Sequence, residues 1–225
     1  MKKIYRIAAL VLALALLAGL AAGCGPKFDA SGYVKCQLDA FYLNQHDNVE
    51  KYTNSTKEDS AQDYEDSMAE EGRDLAETLA SQFELEPTQE QIDLATDFVK
   101  QSYSKVRYTV GKATADGKNF VVPVTYETLL LYTDANFEAV SNEESAWIET
   151  NSEALQNAFA AGDEAAITAL ADDYLKMYIG AWVNCLSNPE YDESETMELH
   201  VNLGSDDLYD IADDEYQSLY DNLLQ

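Results

Sequence analysis

The sequence predicts an α+β fold, with helices packed on one face of a small antiparallel sheet built from a hairpin and one late strand. Three observations lead there. Apolar residues recur at three- and four-residue steps over most of the chain, the spacing of amphipathic helices. The period drops to two in "RYTVGKATADGKNFVVPVTYE", on either side of Asp116-Gly117. It drops to two again in "ETMELHVNLG".

The elements follow in order. Tyr33, Cys36, Ala40 and Leu43 mark the inner face of a first helix, and a short helical piece covers Asn48 to Tyr52. "TNSTKED" supplies hydroxyl caps and first-turn acids for a long helix over 57–83, with Tyr64, Met68, Leu75, Leu79 and Phe83 inward and Gly72 weakening its middle. Pro87 stops it. Thr88-Gln89-Glu90-Gln91 is a capping box, in which the threonine oxygen and the glutamine side chain satisfy free backbone donors. The helix it opens turns Ile92, Ala95, Val99 and Val106 inward.

In the hairpin, Tyr108 and Val110 alternate with polar residues, and Phe120, Val122, Val124 and Tyr126 share one face of the returning strand. Pro123 has no amide hydrogen, which places that strand at an edge or puts a bulge there. Helical spacing resumes with Phe137, Val140, Ile148, Leu155 and Ala158. Gly162-Asp163 reads as a stop and a new cap. Ile167, Leu170, Tyr174, Met177, Ala181 and Cys185 stripe the next helix, which Asn188-Pro189 ends. Met197, Leu199, Val201 and Leu203 face inward on the late strand, and an acidic helix closes the chain from about Asp213.

The first 30 residues are of another kind. Lys2, Lys3 and Arg6 precede an apolar run from Ile7 to Leu20, closed by Ala21, Ala22 and Gly23, which is the layout of an export signal. The run is too short for the roughly 20 residues a membrane-spanning helix needs. Leu20-Ala21-Ala22-Gly23-Cys24 resembles the bacterial lipoprotein box. The resemblance implies cleavage before Cys24 and a diacylglyceryl group on its thiol. Two acyl chains hold a protein on a membrane where one gives only marginal binding. The expected organisation is a signal peptide over 1–23, a lipidated tether over 24–30 and a single α+β domain over 31–225.

Removing the leader takes away three basic residues and leaves 11 Lys plus Arg against 42 Asp plus Glu, a net charge of −31. Such a surface repels phosphate backbones, so nucleic acid is excluded as a partner. It also repels anionic headgroups, so the acyl chains rather than the protein surface supply the attachment. The acids alternate with apolar residues at helical spacing, which fits a solvated folded surface better than a cation store or a disordered tail.

Little in the chain points to catalysis. His46, between Asn44 and Asp47 near the end of the first helix, suits a helix C-terminus. His200 falls on the polar face of the late strand. Neither belongs to a metal-binding pattern, and there is no G-x-S-x-G elbow, P-loop or dinucleotide fingerprint. No catalytic residue, metal ligand or cofactor is therefore expected. Asp172-Asp173, Asp206-Asp207 and Asp213-Asp214 lack the spacing that wraps a calcium ion. Cys36 and Cys185 lie on apolar stripes; a disulfide between them is chemically permitted outside the cytoplasm, and two buried thiols account for them equally. The 15 tyrosines, with Trp147 and Trp182, read as core and rim, or as the walls of a cleft.

Four features together resemble a group of small lipoproteins of clostridial, Gram-positive bacteria. They are the box at Cys24, the "YVKCQLDAFYLN" helix, the "YSKVRYTVGKA" junction and the late "DEYQSLYDNLL" helix. No activity is established for that group, so the resemblance implies a location on the outer leaflet and no mechanism. The expected function is non-enzymatic binding of a small ligand or another envelope component. The alternatives are an envelope-modifying hydrolase with an acid-based site and an accessory subunit of a membrane transporter.

Overall fold

A computed structural model of the chain describes residues 28–205 and 207–224. Cys24 and the leader lie outside the described residues, as does Asp206. The elements run α1 (Ala30–Leu43), α2 (Val49–Tyr52), α3 (Lys57–Ala80), α4 (Gln89–Tyr103), β1 (Arg107–Val110), β2 (Thr114–Asp116), β3 (Asn119–Glu127), β4 (Leu129–Leu130), α5 (Asp134–Ala161), α6 (Glu164–Cys185), β5 (Glu190–Tyr191), β6 (Glu195–Leu203), β7 (Tyr209–Ile211) and α7 (Asp213–Leu223). The fold is α+β, as expected, with an antiparallel sheet. The described residues form two compact units: 28–66, 106–129, 191–205 and 207–224 make the first, and 67–105 with 130–190 make the second.

The first unit holds a five-stranded sheet in the order β1-β3-β6-β7, with β2 also pairing β3. Pairing Val122 with Leu199 and Val124 with Met197 puts the apolar residues of two strands on one face. Val122, Val124, Leu199 and Val201 are fully buried there. Tyr108 and Tyr126 extend this face, since their strands pair them directly. α1 covers it with Tyr33, Val34, Leu38 and Tyr42, and α7 with Tyr216, Leu219 and Leu223, all buried. Thr125 and Thr196 on the opposite face join hydroxyls at 2.8 Å in the open.

β3 is central, which corrects the edge position expected from Pro123. The reason is local. A strand residue's N–H and C=O point the same way, and the Pro123 carbonyl accepts from Gly111 N at 2.7 Å. The missing donor therefore faces residues 111–113, where the chain breaks between β1 and β2, and the bond to β6 is untouched. A Cβ at Gly111 would lie 2.8 Å from the proline ring, so this junction needs glycine. β7 was not visible in the periodicity, because three residues are too few to show a period.

The second unit is helical. Its core joins Ala76 of α3, Ile92 and Ala95 of α4 and Ile179 of α6. A second cluster joins Val140 of α5 to Ala181 and Trp182 of α6. The capping box at Thr88 forms as expected, and Asp163 caps α6 through Ala166 N. Gly72 is not a weakness in α3. A Cβ there would lie 2.2 Å from Thr96 Oγ1 and 2.5 Å from Thr96 Cα, so glycine is what lets α4 come close.

Candidate functional site

α6 carries Tyr174, Tyr178 and Trp182 at four-residue spacing, which stacks them along one helix face. Tyr174 and Tyr178 lie with ring centroids 6.1 Å apart and planes 23° from parallel. Tyr178 and Trp182 follow at 6.4 Å and 73°. Tyr132 and Phe137 stack on each other at 6.1 Å, and each meets Trp182 at 5.4 Å near a right angle. Edge-to-face and offset contacts of this kind are the favoured aromatic geometries.

All of these rings but Tyr174 wall a cavity of about 170 Å³ within the second unit. Leu75 and Leu79 of α3, Phe98 of α4 and Ile179 of α6 complete the lining with Tyr132, Phe137, Tyr178 and Trp182. Trp182 is 7% exposed, whereas Tyr132 and Phe137 at the mouth are 61% and 50% exposed. Phe137 is thus not an inward core residue of α5, and neither is Ile148, at 52%. Phe83, expected on the inner stripe of a helix over 57–83, lies in a 3-10 turn past the end of α3 and is also exposed.

Carboxylates lie one helical turn away. Tyr174 OH donates to Glu144 Oε1, and Trp147 Nε1 donates to Asp173 Oδ2 at 2.7 Å. Burial, and after it the Glu144 contact, pushes the Tyr174 hydroxyl above its ordinary range. Lys176, the sole basic residue between 130 and 190, bonds Glu90 and Asp172. A more polar cleft of about 310 Å³ lies beside Cys185, lined by Asn136, Glu143, Asn184 and Asn188 among others.

The residues singled out by sequence are dispersed. Cys36 and Cys185 are free thiols, the first in the first unit and the second in the second. Burial and the nearby Asp39 push Cys36 up to about 11. Burial also raises Cys185, whose Sγ donates to Ala181 O at 3.4 Å, the opposite of what activates a thiolate.

His46 does not act on the helix end. It is buried, with Nδ1 2.8 Å from Ser60 Oγ and Nε2 2.7 Å from Asn44 Oδ1, so it pins the start of α3 to the end of α1. Burial, helped by the Lys57 ammonium, holds its imidazole below the ordinary value. His200 uses Nδ1 and its backbone N–H on the two oxygens of Glu215, each at 2.5 Å, which fixes the first turn of α7 to β6.

Glu71 of α3 carries the one strongly raised carboxyl among the described residues, pushed up to about 7 by burial. Tyr103 OH donates to its Oε2 at 2.5 Å, and neither residue lines the aromatic cavity. Among the described residues no group of three or more His, Cys, Asp or Glu is arranged to hold a metal ion. No described helix is long and apolar enough to cross a membrane.

Comparison with known proteins gives a fold likeness. No protein-family model matches the chain, and no curated protein does. Among solved structures, a candidate lipoprotein (ycdA) from Bacillus subtilis subsp. subtilis strain 168 aligns with a TM-score of 0.55 at 15% identity. The alignment covers 88% of this chain and 56% of that one, so the chain spans little over half of the neighbour's length. At that identity the shared property is the fold.

Proposed function

We propose that the chain is a lipid-anchored, extracytoplasmic binding protein of a Gram-positive cell. Cys24 attaches it to the outer leaflet, and the aromatic cavity of the second unit holds a small ligand without catalysis. The cavity carries this reading: an apolar concave site with a few polar groups at its rim is the usual form of a small-molecule site. Two further observations support it. The raised carboxyl of Glu71 lies outside the lining, and the Cys185 thiol is held away from its reactive form. The leader layout, and a fold neighbour described as a candidate lipoprotein from a Gram-positive species, support the address.

The anchor has a geometric consequence for the first unit. Phe28 stacks on Tyr209 at 4.0 Å and 10°, and also touches Tyr33 and Phe120. Four residue steps separate it from Cys24. A fully extended chain covers about 14 Å in that distance, so acylation at Cys24 ties the Phe28 cluster close to the membrane surface.

A second reading rests on Phe83, Phe137, Ile148 and Phe159, which are exposed in the same unit and offer apolar surface to another envelope component. Two measurements test the proposal. Labelling with a palmitate analogue places lipid on the wild-type chain and none on Cys24→Ala; label on both, or on neither, removes the anchor. Native mass spectrometry of protein purified from its host shows a bound small molecule that Trp182→Leu no longer retains. A ligand retained by that variant moves the site elsewhere.

A further inference from the structure

The walls and charges of the cavity together specify what kind of ligand fits. We propose that it receives a small organic cation, a quaternary ammonium or an alkylated amine, whose apolar head sits against the rings of Tyr132, Phe137, Tyr178 and Trp182. This rests on reading the cavity as the binding site.

Size comes first. An engineered cavity of about 150 Å³ lined by Leu, Ile and Phe takes up benzene, so about 170 Å³ suits one ring-sized or trimethylammonium-sized body. The wall comes second. Tyr132 and Phe137 stand nearly parallel, Trp182 meets both at 5.4 Å, and Tyr178 closes the next side. Five of the eight lining side chains are aromatic, a wall of the kind that attracts an organic cation, and indole is the best of such rings.

The charges decide between a cation and other bodies. Between residues 130 and 190 there are eleven acids and one base, Lys176, which is already bonded to Glu90 and Asp172. The side chains lining the cavity offer only two phenol hydroxyls and one indole N–H as polar groups, and no guanidinium or ammonium to meet an anion. Glu144 and Asp173 are held by Tyr174 and Trp147, one turn of α6 from Tyr178. Their charges make the neighbourhood of the cavity negative, which favours a cation over an anion.

Calorimetric titration of the mature chain with three probes of similar shape tests this. The probes are choline, its neutral isostere 3,3-dimethylbutan-1-ol and the anion 3,3-dimethylbutanoate. Choline is expected to bind at least about tenfold tighter than the neutral isostere, within the range of a cation over an aromatic face, and the anion not at all. Tyr132→Ala, at an exposed position, is expected to lose most of that preference while keeping its circular dichroism spectrum. Equal binding of choline and the alcohol overturns the cation and leaves the cavity as a site for neutral bodies. Preference for the anion overturns the cation as well. Binding of none of the three overturns the cavity as a ligand site. A preference unchanged in Tyr132→Ala places the cation elsewhere and overturns the assignment.

Discussion

The two units use their aromatic residues in opposite ways. In the first, rings close the core, and four of their hydroxyls bond across the unit. Tyr33 OH donates to Tyr209 O, Tyr52 OH to Asp29, Tyr108 OH to Asp39 and Tyr126 OH to Glu195. In the second, the rings of α6 and its neighbours surround a space. The five most exposed large apolar side chains among the described residues, Phe83, Tyr132, Phe137, Ile148 and Phe159, all belong to this unit. The difference follows from architecture. One face of a sheet with α1 and α7 laid on it buries the inward side chains at its centre, Val122, Val124, Tyr126, Leu199 and Val201. α5 runs for 28 residues and buries only Val140 and Ala158, so most of its apolar residues have no neighbouring layer. Of the five, Tyr132 and Phe137 adjoin, and they do so at the cavity.

The contrast can be broken by substitution. Leu199→Ala, in the fully buried sheet face, is expected to cost about 3 kcal/mol in urea unfolding, as buried leucines do. Phe159→Ser, at 64% exposure in the second unit, is expected to stay within about 0.5 kcal/mol of wild type. A comparable loss from both would mean that the second unit buries its rings as the first does.

The units should also respond to pH in opposite directions. Glu71 binds its proton more tightly folded, at about 7, than unfolded, near 4.5. The native state therefore holds more protons between those values, and stability falls as pH rises through that window. Glu71→Gln is expected to be more stable than wild type at pH 8, by about 2 kcal/mol, and equal to it below pH 4. His46 is the reverse case. Its imidazole is held below its ordinary 6.5, so the unfolded state takes up the proton first and stability is lost as pH falls below that value. His46→Gln is expected to flatten the acid limb of the stability curve and leave the limb above pH 7 unchanged. Exchange of the two effects between the variants would sink the assignment.

Smaller effects sharpen the picture. Alanine favours a helix interior over glycine by about 1 kcal/mol, yet Gly72→Ala is expected to destabilise by about 1.5 kcal/mol, because its methyl meets the Thr96 backbone. A gain in melting temperature would show that α4 can move away. Phe28→Ala removes a stacked pair worth about 1 kcal/mol. Its main expected result is greater mobility of a spin label at Lys118 in vesicle-bound protein, since Tyr209 OH donates to Lys118 O beside the same cluster. An unchanged spectrum would detach the Phe28 cluster from the membrane surface.

Much of the fold was legible in short stretches. The capping box at Thr88, the Asp163 cap, the two-residue period of "ETMELHVNLG" and the hairpin at Asp116-Gly117 each need only a few neighbouring residues, and each is found in place. The cavity was less legible. Trp182 and the tyrosines stood out as core, rim or cleft wall, and nothing in their spacing chose among these. Phe137 and Ile148 keep helical spacing with Val140, yet lie in the open, because periodicity tells which residues share a face and not whether anything covers it. A usable signal was the sparsity of basic residues from 130 to 190 beside a run of aromatics.

By itself the sequence determined the helices and the longer strands, the α+β class, the heavy negative charge and the signal-like leader with its cysteine. Those depend on local backbone preference, side-chain period and composition. Only the tertiary structure decided that Pro123 sits in a central strand opposite a break, that His46 is a buried clasp, and that Tyr132, Phe137, Tyr178 and Trp182 enclose one space. It also decided that residues 67–105 and 130–190 form a unit of their own. Each of these depends on contacts between residues far apart in the chain, and no local period encodes which distant side chain will be the neighbour.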